Sequence, residues 1–163
     1  MTLTTLCNSI RLADPAATDR AGAALARALR PGDVVCLKGG LGAGKTALAR
    51  AAIAARLAAN GGAAEEIPSP TFTLVQTYEA DAPIWHADLY RLAEVDELIE
   101  LGLDEAFETA IVFVEWPERL GPFAPDRRLE LSLAIAQDDA GRMLTATPVG
   151  EGWERALGAL GLS

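Results

Sequence analysis

Asp33-Val34-Val35-Cys36-Leu37-Lys38-Gly39-Gly40-Leu41-Gly42-Ala43-Gly44-Lys45-Thr46 holds, in order, a short apolar run, a glycine-rich bend and the opening of a helical pattern. The run from Val34 to Leu37 reads as a strand covered on both faces. After Lys45, Leu48, Ala52, Ile53 and Leu57 recur at three-to-four spacing until Asn60-Gly61-Gly62 stops them, which predicts a helix. Gly39 to Thr46 fits G-x-x-x-x-G-K-[ST], and strand, loop and helix follow one another as that motif requires. In such a loop, glycines let backbone N–H groups converge on phosphate oxygens, and the helix N-terminus adds partial positive charge. Gly39, Gly40, Leu41, Gly42, Ala43 and Gly44 are therefore the candidate cradle. Lys45 would reach the β- and γ-phosphates, and the Thr46 hydroxyl would ligate magnesium.

Working outward, residues 2–13 alternate loosely and predict an edge strand, and Asp14-Pro15 supplies a cap and first-turn proline for a sheet-packing helix ending near Arg30. Beyond the loop helix, Pro68 and Pro70 hold residues 67–74 extended, as in a lid, before a strand through Tyr78. Residues 84–88 and 110–115 read as two short strands, each ending on a carboxylate, Asp88 and Glu115. Residues 92–108 predict an acidic helix broken at Gly102, its charges solvated. Leu129, Leu131, Leu133 and Ile135, the turn Asp138-Asp139-Ala140-Gly141 and the alternation from Arg142 to Thr147 predict an antiparallel hairpin. A short helix with Trp153, Leu157 and Leu160 follows. The expected fold is α/β: one P-loop NTPase-like domain over residues 1–163, with a mixed sheet flanked by helices and a C-terminal antiparallel hairpin.

A P-loop enzyme also needs a carboxylate that holds magnesium through its waters, commonly at the end of a neighbouring strand. Glu115 fits best, the alternative being an ordinary strand-end glutamate in solvent. Asp88 is the second candidate, as a base or water-positioning group near the γ-phosphate. His86, the single histidine, reads as a packed or surface strand residue, with proton transfer as the sharper alternative.

Fourteen Lys and Arg against 23 Asp and Glu leave a net charge of −9 on 163 residues, so the bulk surface repels phosphate backbones. This argues against DNA as a partner and makes any RNA contact local or borrowed. Met1 to Pro15 lack a signal-peptide pattern and no apolar run reaches the roughly 18 residues of a bilayer span, so a cytoplasmic protein without membrane attachment is expected. Cys7 and Cys36 have no metal or redox spacing and read as small core residues.

The chain has no N-K-x-D guanine reader; its asparagines are Asn8 and Asn60. Asp138-Asp139-Ala140-Gly141 matches D-x-x-G formally but reads as the hairpin turn. Two other readings share the P-loop. A small-molecule kinase would need an arginine-bearing lid, for which the stretch leading to Glu115 offers Arg56 and Arg91. A nucleotide-sensing module without turnover would keep Lys45 and Thr46 and have no use for Asp88. The arginine that completes the site is open among Arg91, Arg127 and Arg128, with Arg91 preferred because it follows Asp88.

Gly39 to Thr46, Ser69-Pro70-Thr71-Phe72-Thr73-Leu74, His86-Ala87-Asp88-Leu89-Tyr90-Arg91 and Val114-Glu115-Trp116-Pro117-Glu118 together resemble, in order and spacing, the bacterial TsaE (YjeE) family over roughly residues 15–130. The resemblance implies an accessory ATPase that binds ATP and Mg2+. Such a protein is needed with TsaB and TsaD to place threonylcarbamoyl on the tRNA adenosine beside the anticodon, meeting tRNA through those partners. It also implies phosphate binding by Gly39 to Thr46, magnesium held by Thr46 and Glu115, and a γ-phosphate-side carboxylate at Asp88. Trp116 would be the aromatic beside the magnesium glutamate, and residues 69–74 a switch segment. Gly40 stands where the family usually has Asp, and Ala47 where it usually has a second Thr.

Overall fold

The computed structural model describes residues 8–62, 67, 68, 70, 73–137 and 140–162. Seven strands form one sheet: β1 (Ser9–Leu12), β2 (Val34–Lys38), β3 (Val75–Glu79), β4 (Pro83–Asp88), β5 (Ile111–Glu115), β6 (Arg128–Ile135) and β7 (Arg142–Val149). Their spatial order is β1-β7-β6-β2-β5-β4-β3. The centre is parallel, β6 with β2, β2 with β5 and β5 with β4, while β7, β1 and β3 pair antiparallel with their neighbours. The expected mixed sheet and C-terminal hairpin are both present.

Alternation along the central strands builds two cores. Val35 and Leu37 of β2 and Ile111 and Phe113 of β5 face α1 (Pro15–Ala28), α2 (Lys45–Ala59) and α5 (Glu154–Ala159), packing with Leu25, Leu48, Ile53 and Trp153. Val34, Cys36, Val112 and Val114 face α3 (Asp96–Glu100), α4 (Leu103–Thr109) and the 3-10 segment Pro117–Phe123, packing with Leu98, Leu103 and Leu120. With both faces covered, these strands have no solvent side, which is why their sequences are nearly all apolar.

Asp14 caps α1 by accepting from the Ala17 N–H at 2.8 Å, and Pro15 occupies its first turn. The two largest helices approach closely at Gly22, where a Cβ would lie 2.7 Å from that of Ala51. Arg56 of α2 donates to the carbonyls of Ala26 and Leu29 at the end of α1 and to both oxygens of Asp81 in the β3–β4 turn.

The acidic helix is shorter than its charge pattern predicts. Tyr90 and Arg91 form a turn closed by the Leu92 N–H donating to Leu89, residues 92–94 are irregular with Arg119 donating to the Leu92 carbonyl, and the helix starts at Asp96. Gly102, in the left-handed region at φ 82°, separates α3 from α4 as expected. Glu94, Asp96, Glu100, Asp104, Glu105 and Glu108 are exposed, a solvated face. The edge strand is seen over Ser9–Leu12 only; residues 2–7, with Cys7, lie outside the described residues, as do Ser69, Thr71 and Phe72 of the extended segment and Asp138 and Asp139 of the turn. No described helix is long and apolar enough to cross a membrane.

Candidate functional site

At the carboxyl end of β2 the chain turns through Gly39 (φ 143°), Gly42 (φ 76°) and Gly44 (φ 105°) into α2. Gly39 is required by space, since a Cβ there would sit 2.4 Å from the Leu133 carbonyl of β6. Gly44 is required by conformation, because its left-handed backbone aims the first amides of α2 back at the loop. These amides have no acceptor within the helix, and they open on a cleft of about 350 Å³. Its walls are the loop from Gly40 to Thr46, Asp88, Tyr90, Arg91, Glu115 and Trp116.

Strand register brings the carboxylates to that loop. Glu115 pairs across the parallel ladder with Leu37 on one side and Asp88 on the other, so both acids stand at adjacent strand ends beside the turn out of β2. This is where ligands sit in α/β sheets. Glu115 is only 1% exposed. Its Oε1 accepts from the Thr46 hydroxyl at 2.6 Å, and its Oε2 lies 2.7 Å from Nε2 of His86. Asp88, also buried, accepts from the Tyr90 N–H at 3.1 Å and through its own N–H donates to the Leu74 carbonyl at 2.8 Å.

Lys45 is buried and donates from Nζ to the carbonyls of Gly39 (2.5 Å) and Gly40 (3.3 Å). Burial holds its amine below the usual lysine range, against the opposing pull of Glu115, Asp88 and Glu118. Trp116 follows Glu115 in the left-handed region (φ 58°, ψ 52°), a conformation that costs a non-glycine residue roughly 1 kcal/mol or more. The turn places its ring 3.8 Å from the Lys45 nitrogen and 5.0 Å from the ring of Tyr90. A local strain is thus coupled to a cation–π contact on the loop lysine.

The loop from Gly40 to Thr46, Asp88, Glu115 and Trp116 all line this one cleft, Gly39 accepts from Lys45 at its floor, and His86 lies behind Glu115 outside the lining. Of the three candidate arginines, only Arg91 lines the cleft. Arg127 is at the far end of β2, paired with Asp33 at 2.8 Å and stacked on Trp153, and Arg128 pairs with Glu130 beside Cys36. Arg56 sits within α2, bound to Asp81 and the end of α1, so it cannot serve as a lid cation.

Three residues make contacts at the site that the sequence does not show. His86 is packed as expected, yet its contact is the candidate magnesium carboxylate; the spacing Ile84, His86, Asp88 already put it on the site's face of β4. Tyr90 extends the aromatic wall of the cleft. Arg142 at the start of β7 donates to the Gly42 carbonyl at 3.2 Å, a contact between segments a hundred residues apart that no local pattern signals.

A family model described as threonylcarbamoyl adenosine biosynthesis protein TsaE matches residues 12–144. The chain belongs to the TsaE family. Relatives that carry the name tRNA threonylcarbamoyladenosine biosynthesis protein TsaE include one from Bacillus subtilis, 36% identical over 146 residues, covering 88% of this chain and 87% of the relative. Another, from Treponema pallidum, is 37% identical over 122 residues, covering 74% and 87%. The crystal structure of YdiB from Bacillus subtilis superimposes with a TM-score of 0.75 at 30% identity, covering 94% of this chain and 93% of the other. TsaE membership places the chain among P-loop-like nucleotide-binding proteins involved in tRNA modification. Of the two departures from the TsaE pattern, Gly40 has open space where a Cβ would lie, so its backbone does not demand glycine, and Ala47 is exposed on the cleft wall.

Proposed function

We propose that this TsaE protein is a magnesium-dependent ATPase that acts as an accessory subunit, with homologues of TsaB and TsaD, in placing threonylcarbamoyl on the tRNA adenosine beside the anticodon. The observation that carries the reading is the meeting of Lys45, the Thr46–Glu115 pair and Asp88 in one cleft against the glycine loop. Loop amides and the α2 N-terminus bind the phosphates. Lys45 leaves the Gly39 and Gly40 carbonyls for the β- and γ-oxygens, a short swing because those carbonyls line the same loop. The ribose and base extend past Ala47 into an adjoining cleft of about 430 Å³ lined by Asp14, Thr18, Asp19 and Arg142, which shares Gly44 and Ala47 with the first.

Thr46 and Glu115 suit magnesium: two hard oxygen donors 2.6 Å apart at the phosphate end of the cleft. The described residues hold no group of three or more His, Cys, Asp or Glu for an all-protein cage. That matches an ion bound by one or two protein oxygens, phosphates and water. When bound, the ion neutralises charge on the phosphate oxygens. Asp88 orients the attacking water and accepts its proton as the terminal phosphoryl group leaves for water, giving ADP and phosphate.

The Leu74 carbonyl, tied to the Asp88 N–H, links the end of the 69–74 segment to the γ-phosphate side, and Leu74 itself is held at φ 66°. This supports a segment whose order follows nucleotide state and so sets partner affinity. The charge of −9 favours docking on proteins over gripping tRNA alone. The test is calorimetric titration with ATP, with and without magnesium, followed by reconstitution with TsaB, TsaD and tRNA and measurement of the modified nucleoside. The reading expects ATP binding that tightens with magnesium and modification that requires this chain. Absence of ATP binding, or modification without the chain, contradicts it.

A further inference from the structure

We infer that His86 is a positioning residue for the metal carboxylate, holding the inner oxygen of Glu115 from beneath so that its outer oxygen stays aimed at Thr46; this rests on the proposed magnesium-dependent reading of the same cleft. His86 has no solvent exposure and lies on β4 between Ile84 and Asp88, opposite Phe113 of β5. An apolar side chain would suit such a layer better, because burying an imidazole without partners for both nitrogens is unfavourable. Nδ1 has no hydrogen-bond partner among the described residues. The polar interaction that remains is the 2.7 Å contact from Nε2 to Glu115 Oε2.

The carboxyl oxygen is the acceptor in this pair, which assigns the Nε2–H tautomer to His86 and makes Nε2 the hydrogen-bond donor to Glu115 Oε2. The division of labour follows from geometry. Oε1 faces Thr46, the side from which phosphate and metal approach, whereas Oε2 points into the sheet, out of water. Without His86 that inner oxygen would be a buried acceptor with no donor, and the carboxylate would rotate away from Thr46 to relieve it. Thr46 and Glu115 would hold the ion from the cleft side, and His86 would steady Glu115 from the side away from it. Outer-shell partners of this kind typically set metal affinity by 10- to 100-fold.

The test compares His86→Gln, whose amide N–H reaches the place of Nε2, with His86→Phe, which fills the space without a donor. The readout is the magnesium concentration that half-saturates the tightening of a fluorescent ATP analogue. Manganese binding in the presence of ADP, followed by electron paramagnetic resonance, supplies a second readout independent of turnover. The inference expects a requirement raised about 10- to 100-fold in His86→Phe, near the wild-type value in His86→Gln, and the same analogue affinity for all three in EDTA. If His86→Phe does not fold, His86→Asn, polar but one bond too short, takes its place. A wild-type metal requirement in whichever of His86→Phe and His86→Asn folds overturns the inference, as does failure of both to fold, which would make His86 a core residue only. Magnesium-independent binding by the wild type would instead refute the functional reading.

Discussion

Replacing Lys45 with alanine separates chemistry from folding, because the two effects have different sizes. On the folding side, the amine gives up hydrogen bonds to Gly39 and Gly40 and the stacking on Trp116. Both carbonyls belong to a loop at the cleft and regain water, so each bond is worth roughly 0.5–1 kcal/mol and the stacking about as much. Against this, the variant no longer desolvates an ammonium whose burial already holds its pKa down. The net change is a destabilisation of about 1–2 kcal/mol, a fall of roughly 2–8 °C in melting temperature for a chain of this length. On the chemical side, a charged donor aimed at developing phosphate charge is worth about 3–4 kcal/mol, or at least 10²- to 10³-fold in turnover. Thermal unfolding by fluorimetry and phosphate release with saturating ATP measure the two effects on one preparation. A folded variant that releases phosphate within tenfold of wild type refutes the P-loop reading, and a loss of more than about 10 °C refutes the reasoning on stability.

Arg56→Ala should lower stability by about 2–3 kcal/mol, chiefly by leaving the Ala26 and Leu29 carbonyls without their donor, as denaturant unfolding would show. The hydrogen bond from Arg56 holds the carboxyl of Asp81 below the ordinary value of 3.8. That contribution is therefore complete above pH 4 and lost as pH falls through the folded value, so the gap between wild type and variant narrows in acid. Cys36, with its thiol pushed up to about 12 by burial, should resist iodoacetamide at pH 8 until the chain is unfolded, as mass spectrometry would record. Gly39→Ala should lose ATP binding and stability together, since the new methyl meets the Leu133 carbonyl at 2.4 Å, whereas Gly40→Asp should fold and bind, its Cβ entering open space; calorimetry on both decides.

The parts legible in the sequence are those in which neighbours along the chain decide. The apolar run into β2, the glycines after it and the periodicity of α2 fix the phosphate loop and its helix. Period-two alternation gives the β6–β7 hairpin, and terminal acids mark the ends of β4 and β5. What was not legible depends on partners distant in sequence. No local pattern tells Arg91, on the cleft wall, from Arg127, drawn to Asp33 and Trp153 at the other end of the sheet. The acidic pattern alone suggests helix from Leu92, whereas α3 starts at Asp96 because Leu89 and Arg119 take the backbone groups of Leu92. His86 was visible as a strand residue, but its contact with Glu115 comes from a parallel register that a single strand does not reveal.

The central claim is hydrolysis of ATP at this cleft by a TsaE accessory subunit, and phosphate release tests it most directly. Release would be measured from ATP and from GTP with magnesium, by the purified chain alone and with homologues of TsaB and TsaD, alongside Asp88→Asn. The account predicts ATP turnover that appears or rises sharply with the partners and falls about 10²- to 10⁴-fold in Asp88→Asn while ATP binding is kept. Tight ATP binding with no phosphate release in either setting would contradict it and leave a nucleotide sensor in which Asp88 has no catalytic part.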